Sequence, residues 1–163
     1  MERIWAPWRM QYIEVADRKD GCIFCDFPAD TRDEENRLLH RGAHGFILLN
    51  AFPYSNGHLM VAPYRHTADL NALGSEELLD TMQLIRTCVN LLKAAFRPDG
   101  FNIGANMGRV AGAGIADHVH FHVVPRWSGD TNFMPVIADA RVIPEALDSV
   151  YHKLKEQLDG GVC

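Results

Sequence analysis

Seven residues in the C-terminal half, His118-Val119-His120-Phe121-His122-Val123-Val124, repeat with a period of two. That period belongs to a β-strand, where successive side chains point to opposite faces. The alternation predicts a strand over 118–124, with three imidazoles on one face at a Cα spacing of about 6.5–7 Å. Val119, Phe121 and Val123 then point the other way, into a core. A row of imidazoles adds little to stability, because a buried histidine has to be desolvated and hydrogen-bonded. A single histidine there would read as a satisfied core residue. Three in register point to chemistry or to a metal site, since histidines at i and i+2 of a strand can both ligate zinc. Such a strand needs neighbours that cover its apolar face, so the chain must build a sheet with a layer packed on it.

The rest of the chain supplies those neighbours. Gly45–Asn50 (GFILLN) and His58–Ala62 (HLMVA) are short apolar runs separated by the turn-rich PYSNG, which predicts a hairpin. Ser75 followed by Glu76 and Glu77 is a helix start with a hydroxyl cap and an acidic first turn. Leu78, Met82, Ile85, Val89, Leu92 and Phe96 recur at spacings of three and four, predicting an amphipathic helix that stops before Pro98-Asp99-Gly100. Residues 101–107 read as a strand and Gly108–Gly114 (GRVAGAG) as a flexible glycine-rich loop. After Pro144, Leu147, Val150, Leu154 and Leu158 mark a closing helix. Residues 28–37 are polar and expected to be exposed. Residues 1–21, with Trp5, Trp8 and Tyr12, read as an arm that packs on the body or on a second subunit. The expectation is one α+β domain over 1–163, with an antiparallel sheet of about five strands, one long helix and a C-terminal helix.

Composition narrows the function classes. The chain has 163 residues, 47% hydrophobic and 23% charged, which fits one ordinary globular domain. Sixteen basic against twenty-one acidic residues give a net charge of −5, which argues against a nucleic-acid-coating protein. No apolar run approaches the roughly 18 residues a membrane span needs, and MERIWAPWRM has no signal-peptide core, so a cytoplasmic protein is expected. Four cysteines are too few for a disulfide scaffold. Cys22 and Cys25 form a C-x-x-C, which in a reducing compartment means metal or redox chemistry. Redox use is the weaker alternative, because Cys22-Ile23-Phe24-Cys25 does not stand at the start of a helix after a clear strand. Cys88 and Cys163 are scattered.

The ordered set of segments resembles the histidine triad (HIT) superfamily. Its signature, His-φ-His-φ-His-φ-φ, is matched by HVHFHVV. The resemblance also takes in the early C-x-x-C, NAFPYSNGHLMVAPYRH, the long helix, the glycine-rich loop after an asparagine, and HVHFHVVPRW. IWAPWRMQYI at the start and PRWSGDTNF after the triad look most like the branch that contains diadenosine tetraphosphate phosphorylases.

What the resemblance implies is specific. His120 is the expected nucleophile, attacking the α-phosphorus of a nucleotide to give a nucleotidyl-histidine. His122 is expected to contact phosphate oxygens or the leaving group. Cys22, Cys25, His66 and His118 are the expected ligands of a structural zinc ion. Asn50 takes the place of the residue that contacts the ribose hydroxyls, and Asn106 that of the asparagine before the glycine loop. Gly112 and Gly114 are candidates to bring backbone N–H groups to phosphate, and His58 borders the site. Trp127, Asn132 and Phe133 are candidates for shaping specificity or a dimer surface, while His40, His44 and His152 read as surface residues. The implied substrate is a small nucleotide, a dinucleoside polyphosphate first, and the implied assembly is a homodimer. A phosphoramidase or hydrolase, and a nucleotide-binding regulator without essential catalysis, are the alternatives.

Overall fold

The computed structural model describes residues 21–130 and 143–161. Five strands make one antiparallel sheet: β1 (Leu38–Arg41), β2 (Gly45–Leu49), β3 (Leu59–Pro63), β4 (Gly100–Gly104) and β5 (Phe121–Arg126). Their order across the sheet is β1-β2-β3-β5-β4. Among the described residues three α-helices accompany them: α1 (Ile23–Ala29), α2 (Ser75–Phe96) and α3 (Leu147–Asp159). The α+β architecture expected above is the one found. Among the described residues no helix is long and apolar enough to cross a membrane.

The sheet is covered on both faces, which explains why β2 and β3 are continuous apolar runs. Ile47, Leu49, Leu59, Val61 and Val123 face α2 and α3, packing on Leu84, Cys88, Leu91, Leu92, Val150 and Leu154. Leu38, Phe46, Leu48, Met60 and Ala62 face the other way and pack on Phe24 of α1. The histidine face of β5 belongs to this second side, because His122 is the register partner of Met60 on β3 and of Gly104 on β4.

Four expectations change in detail. The strand begins at Phe121 instead of His118, because the preceding backbone bonds elsewhere: the Val119 N–H donates to the Thr67 carbonyl at 2.7 Å. Val119 is still buried, and Phe121 and Val123 still pack into the α2 core. The strand expected over 101–107 is Gly100–Gly104. On α2 the cap is Gly74, whose N–H is taken by the Glu77 carboxylate at 2.8 Å, and Ser75 is the first helical residue. The buried face of α2 is Thr81, Leu84, Ile85, Cys88, Leu91 and Leu92, leaving Leu78 and Met82 exposed. Val89 and Phe96 lie at the margin of the core.

Two elements carry no expectation above, α1 and β1. Cys22 stands at the N-terminus of α1, so the C-x-x-C does open a helix; its following turn is set by the Cys25 and Asp26 N–H groups on the Cys22 carbonyl, both at 2.8 Å. The arm with Trp5, Trp8 and Tyr12, together with Asn132, Phe133 and Cys163, lies outside the described residues.

Candidate active site and metal centre

The loop between β2 and β3 brings Asn50 and His58 face to face, the Asn50 N–H donating to the His58 carbonyl at 3.0 Å. Gly57 holds this loop with φ +75°, and a Cβ there would come within 2.9 Å of the Leu92 side chain. His58 is fully buried. Its Nδ1 receives the Tyr54 backbone N–H at 3.1 Å and lies 3.2 Å from the Asn50 amide nitrogen. Asn50 is oriented by its own Oδ1, which accepts the Phe52 N–H at 2.9 Å.

These bonds dictate a tautomer. Two donors aimed at His58 Nδ1 make it an acceptor, so the neutral ring carries its proton on Nε2. That Nε2 stands 2.9 Å from His122 Nδ1. His58 therefore donates to His122, and neutral His122 carries its own proton on Nε2. His120 is set the opposite way: its Nδ1 donates to the His118 carbonyl at 2.8 Å, which leaves the Nε2 lone pair unprotonated. His118 donates from Nε2 to the Pro63 carbonyl at 2.9 Å, which leaves its Nδ1 as a lone pair. Three rings of one alternating run thus have three assigned roles: electron-pair donors at His120 Nε2 and His118 Nδ1, and a proton donor at His122 Nε2.

Burial supports the neutral forms. Desolvation holds the pKa of His120 below the ordinary imidazole value, against the opposing pull of its bond to the His118 carbonyl. The pKa of His118 is lowered mainly by burial, with His66 and His120 adding to the effect.

His118 Nδ1 faces a second cluster. It lies 3.4 Å from Cys22 Sγ, 3.6 Å from Cys25 Sγ and 3.3 Å from His66 Nδ1, and Cys25 Sγ is 3.3 Å from His66 Nδ1. All four donor atoms lie within 4.8 Å of one another. Zinc held tetrahedrally, with Zn–N of about 2.0–2.1 Å and Zn–S of about 2.3 Å, requires N···N near 3.3–3.4 Å and S···N near 3.5 Å. The observed spacings meet that requirement, and two thiolates with two imidazoles are a zinc donor set. Burial, aided by Cys22, pushes the Cys25 thiol up to about 11, so without a cation the sulfur keeps its proton.

On the same side of the sheet is a cavity of about 750 Å³. Ile23 and Phe27 of α1, Leu48 and Met60 of the sheet, Asn50 and Gly114 are among its walls. Asn36, Arg37, Arg109 and Asp117 also line it, and neither His120 nor His122 is among its walls; mostly apolar walls with a few polar groups are the usual lining of a small-molecule site. In the glycine-rich loop, Ala111, Gly112 and Ala113 spend their N–H groups on the carbonyls of Arg109 and Gly108. Gly112 serves the loop through its left-handed backbone, φ 90°, closing the turn Arg109–Ala111. Asn106 lies between β4 and this loop, half-buried.

Three residues that sequence reasoning passed over belong to this region. Phe24 packs its ring 4.5 Å from that of His120. Tyr54 fixes His58 through its backbone and lies 4.6 Å from it ring to ring. Arg109 lines the cavity, and its only sequence signal was a cation inside a glycine loop. Trp127 has a structural use, its indole N–H donating to the Phe96 carbonyl at the end of α2 at 3.2 Å. His40, His44 and His152 lie away from the triad; His44 bonds Asp80 through its N–H and His152 approaches Glu34.

Comparison with known proteins agrees with this geometry. Residues 32–129 match the HIT domain. The chain is 39% identical over 154 residues to the AP-4-A phosphorylase of Mycobacterium tuberculosis, covering 90% of this chain and 79% of that protein. It is 32% identical over 106 residues to an adenosine 5′-monophosphoramidase of Schizosaccharomyces pombe, covering 65% of this chain and 74% of that one. The fold is shared with a zinc-bound histidine triad family protein of Mycobacterium smegmatis, with a TM-score of 0.60 at 22% identity over 93% of this chain and 98% of that one.

Proposed function

The chain belongs to the HIT domain family, and from that premise we propose that it transfers or hydrolyses nucleotidyl groups of dinucleoside polyphosphates, through a covalent nucleotidyl-histidine on His120. Phosphorolysis of diadenosine tetraphosphate is the leading reaction, supported by the 39% identity to the AP-4-A phosphorylase. The observation that carries the mechanism is the opposed tautomers of His120 and His122, one offering a lone pair and its neighbour a proton.

In the first step His120 Nε2 attacks the α-phosphorus in line. A P–N bond forms as the P–O bond to the polyphosphate breaks, and ATP departs from diadenosine tetraphosphate. His122 Nε2–H stabilises charge on the phosphate or leaving oxygens, and His58 holds it in that tautomer. The positive charge that arises on His120 is stabilised by its Nδ1–H bond to the His118 carbonyl. In the second step phosphate attacks the nucleotidyl-histidine, the P–N bond breaks, and ADP leaves with His120 restored. Two displacements replace one difficult one.

Asn50 is assigned to the ribose, with an amide able to donate to and accept from a vicinal diol, and Asn106 to sugar or phosphate. Gly114, on the cavity wall, is the loop glycine assigned to phosphate, and Gly112 shapes that loop. Cys22, Cys25, His66 and His118 are assigned to zinc, which when bound supplies a structural tie with no position left for substrate. The assembly we propose is a cytoplasmic homodimer, with a small nucleotide as its substrate and neither nucleic acid nor membrane as a partner.

The deciding assay is incubation with diadenosine tetraphosphate with and without phosphate. ADP plus ATP, formed only with phosphate, is the expected result. AMP plus ATP in either case makes the protein a hydrolase. Turnover of adenosine 5′-monophosphoramidate alone favours the phosphoramidase, the second reading supported by the S. pombe relative. No turnover of any of these leaves a nucleotide-binding regulator and rejects the enzyme.

A further inference from the structure

The proposed metal ligands and the proposed nucleophile are joined by one aromatic ring. Phe24 stands between Cys22 and Cys25 on α1 and is 1% exposed. Its ring centroid lies 4.5 Å from that of His120 with the planes at 32°, and 5.3 Å from His118 at 51°. Beyond it is Phe46 at 6.5 Å, in a cluster with Leu38, Leu48, Met60 and Ala62. Phe24 is not among the cavity walls, which α1 builds from Ile23 and Phe27 on either side of it.

The polar anchorage of His120 does not by itself aim the ring. Its Nδ1 bond runs to a carbonyl two residues back, so it settles the tautomer and travels with the local chain. The tilt of the imidazole about that bond depends on what the ring lies against. One flank meets Phe24 in a tilted stack, and His122 stands near perpendicular at 4.9 Å, 72°. A flat, buried ring on the helix that carries the proposed ligands Cys22 and Cys25 is a rigid stop of the kind that a flexible aliphatic chain does not make.

We propose that Phe24 is a positioning residue for the covalent step, a stop that holds the His120 imidazole aimed at the α-phosphorus. The proposal rests on His120 being the nucleophile. Misplacing a reacting group by about 1 Å costs on the order of a hundredfold in rate, even when the mutation lies outside the chemistry. Because Phe24 is absent from the cavity walls, its loss acts on the rate of the step and leaves nucleotide affinity nearly untouched.

The test is single-turnover formation of the nucleotidyl-enzyme from diadenosine tetraphosphate, run over a range of nucleotide concentrations on zinc-loaded protein. Phe24→Leu and Phe24→Met are compared with Phe46→Leu, which removes a buried ring from the same cluster without a ring contact to His120. Both Phe24 variants are expected to lower the saturating rate by about tenfold or more, while the half-saturating concentration moves by less than about twofold. Phe46→Leu is expected to stay within about twofold in both, and zinc content to be equal throughout. Two variants at position 24 guard against one that fails to fold. Wild-type rates in either folded Phe24 variant overturn the proposal, as does an equal loss in Phe46→Leu or a loss that tracks missing zinc. If the wild-type enzyme forms no adduct at all, it is the nucleophile assignment that fails.

Discussion

At the residue scale the decisive fact is that three like side chains are made unlike by their hydrogen bonds. His120 keeps an unprotonated Nε2 because its Nδ1 is bound to a carbonyl, and His122 presents a proton because His58 occupies its Nδ1. His120→Ala is therefore expected to cut turnover by several orders of magnitude while nucleotide binding persists, since the pocket remains and only the covalent route is lost. Retention of more than about a hundredth of the wild-type rate would sink the covalent role. A second expectation follows from protonation. Burial lowers the pKa of His120 in the free enzyme below the ordinary value near 6.5. The reactive form is the deprotonated one, so lowering the pKa extends activity to lower pH. The kcat/KM profile of the zinc-loaded enzyme is thus expected to fall with unit slope on the acid side, in a limb centred below the ordinary imidazole value. Bound phosphates favour the imidazolium, so the limb in kcat lies higher, provided chemistry limits kcat. A kcat/KM limb centred above 6.5 contradicts a buried, neutral nucleophile. The alternation of the triad was legible in the sequence. The tautomers were not, because they depend on His58, 64 positions away from His122, and on main-chain groups that no side-chain pattern encodes.

Legibility at the element scale followed length and the strength of the period. The hairpin, α2 and α3 were readable from apolar spacing and turn residues. The two missed elements are short: α1 has seven residues with Pro28 inside it and no side-chain cap, and β1 has four with an irregular register between Leu38 and His40. The expected stripe of α2 holds from Ile85 onward and fails at Leu78 and Met82, because apolar residues nearly encircle the first turns. Leu78, Leu79 and Met82 compete there with Thr81, Leu84 and Ile85, and the sheet selects the second set. The proposed metal site is where a missed element matters, since Cys22 caps α1, Cys25 lies on it, and α1 gives two walls of the cavity. Purified protein is expected to hold about one zinc per chain, and Cys22→Ser to lower both zinc content and Tm. Affinity is also expected to rise with pH, because the Cys25 thiol, held near 11 without the metal, has to release its proton on binding. Metal analysis that finds no zinc in protein purified without chelators removes the assignment.

For the whole molecule, the sheet leaves one consequence of its strand order in view. Among the described residues β4 is an edge strand, bonded to β5 on one side only, and its outer positions Asn102, Ile103 and Gly104 are exposed. Ile103 is 49% exposed on that edge, and α2 presents Leu79 at 60% and Met82 at 56%. An uncovered edge strand is a template for pairing with another chain, and large exposed apolar side chains mark contact surfaces. The resemblance that implies a homodimer and the two exposed features thus point to the same assembly, one in which a second copy covers them. Sedimentation of the full chain is expected to give a dimer. Placing a charge on the edge or on the helix, Ile103→Lys or Met82→Lys, is expected to shift it toward monomer while each subunit keeps its helical circular dichroism, since neither side chain belongs to a core cluster. The two sites report separately: a dimer broken by Ile103→Lys but not by Met82→Lys pairs through the strand edge alone, whereas a dimer indifferent to both is held by other surfaces. A wild-type chain that sediments as a monomer at micromolar concentration rejects the assembly outright.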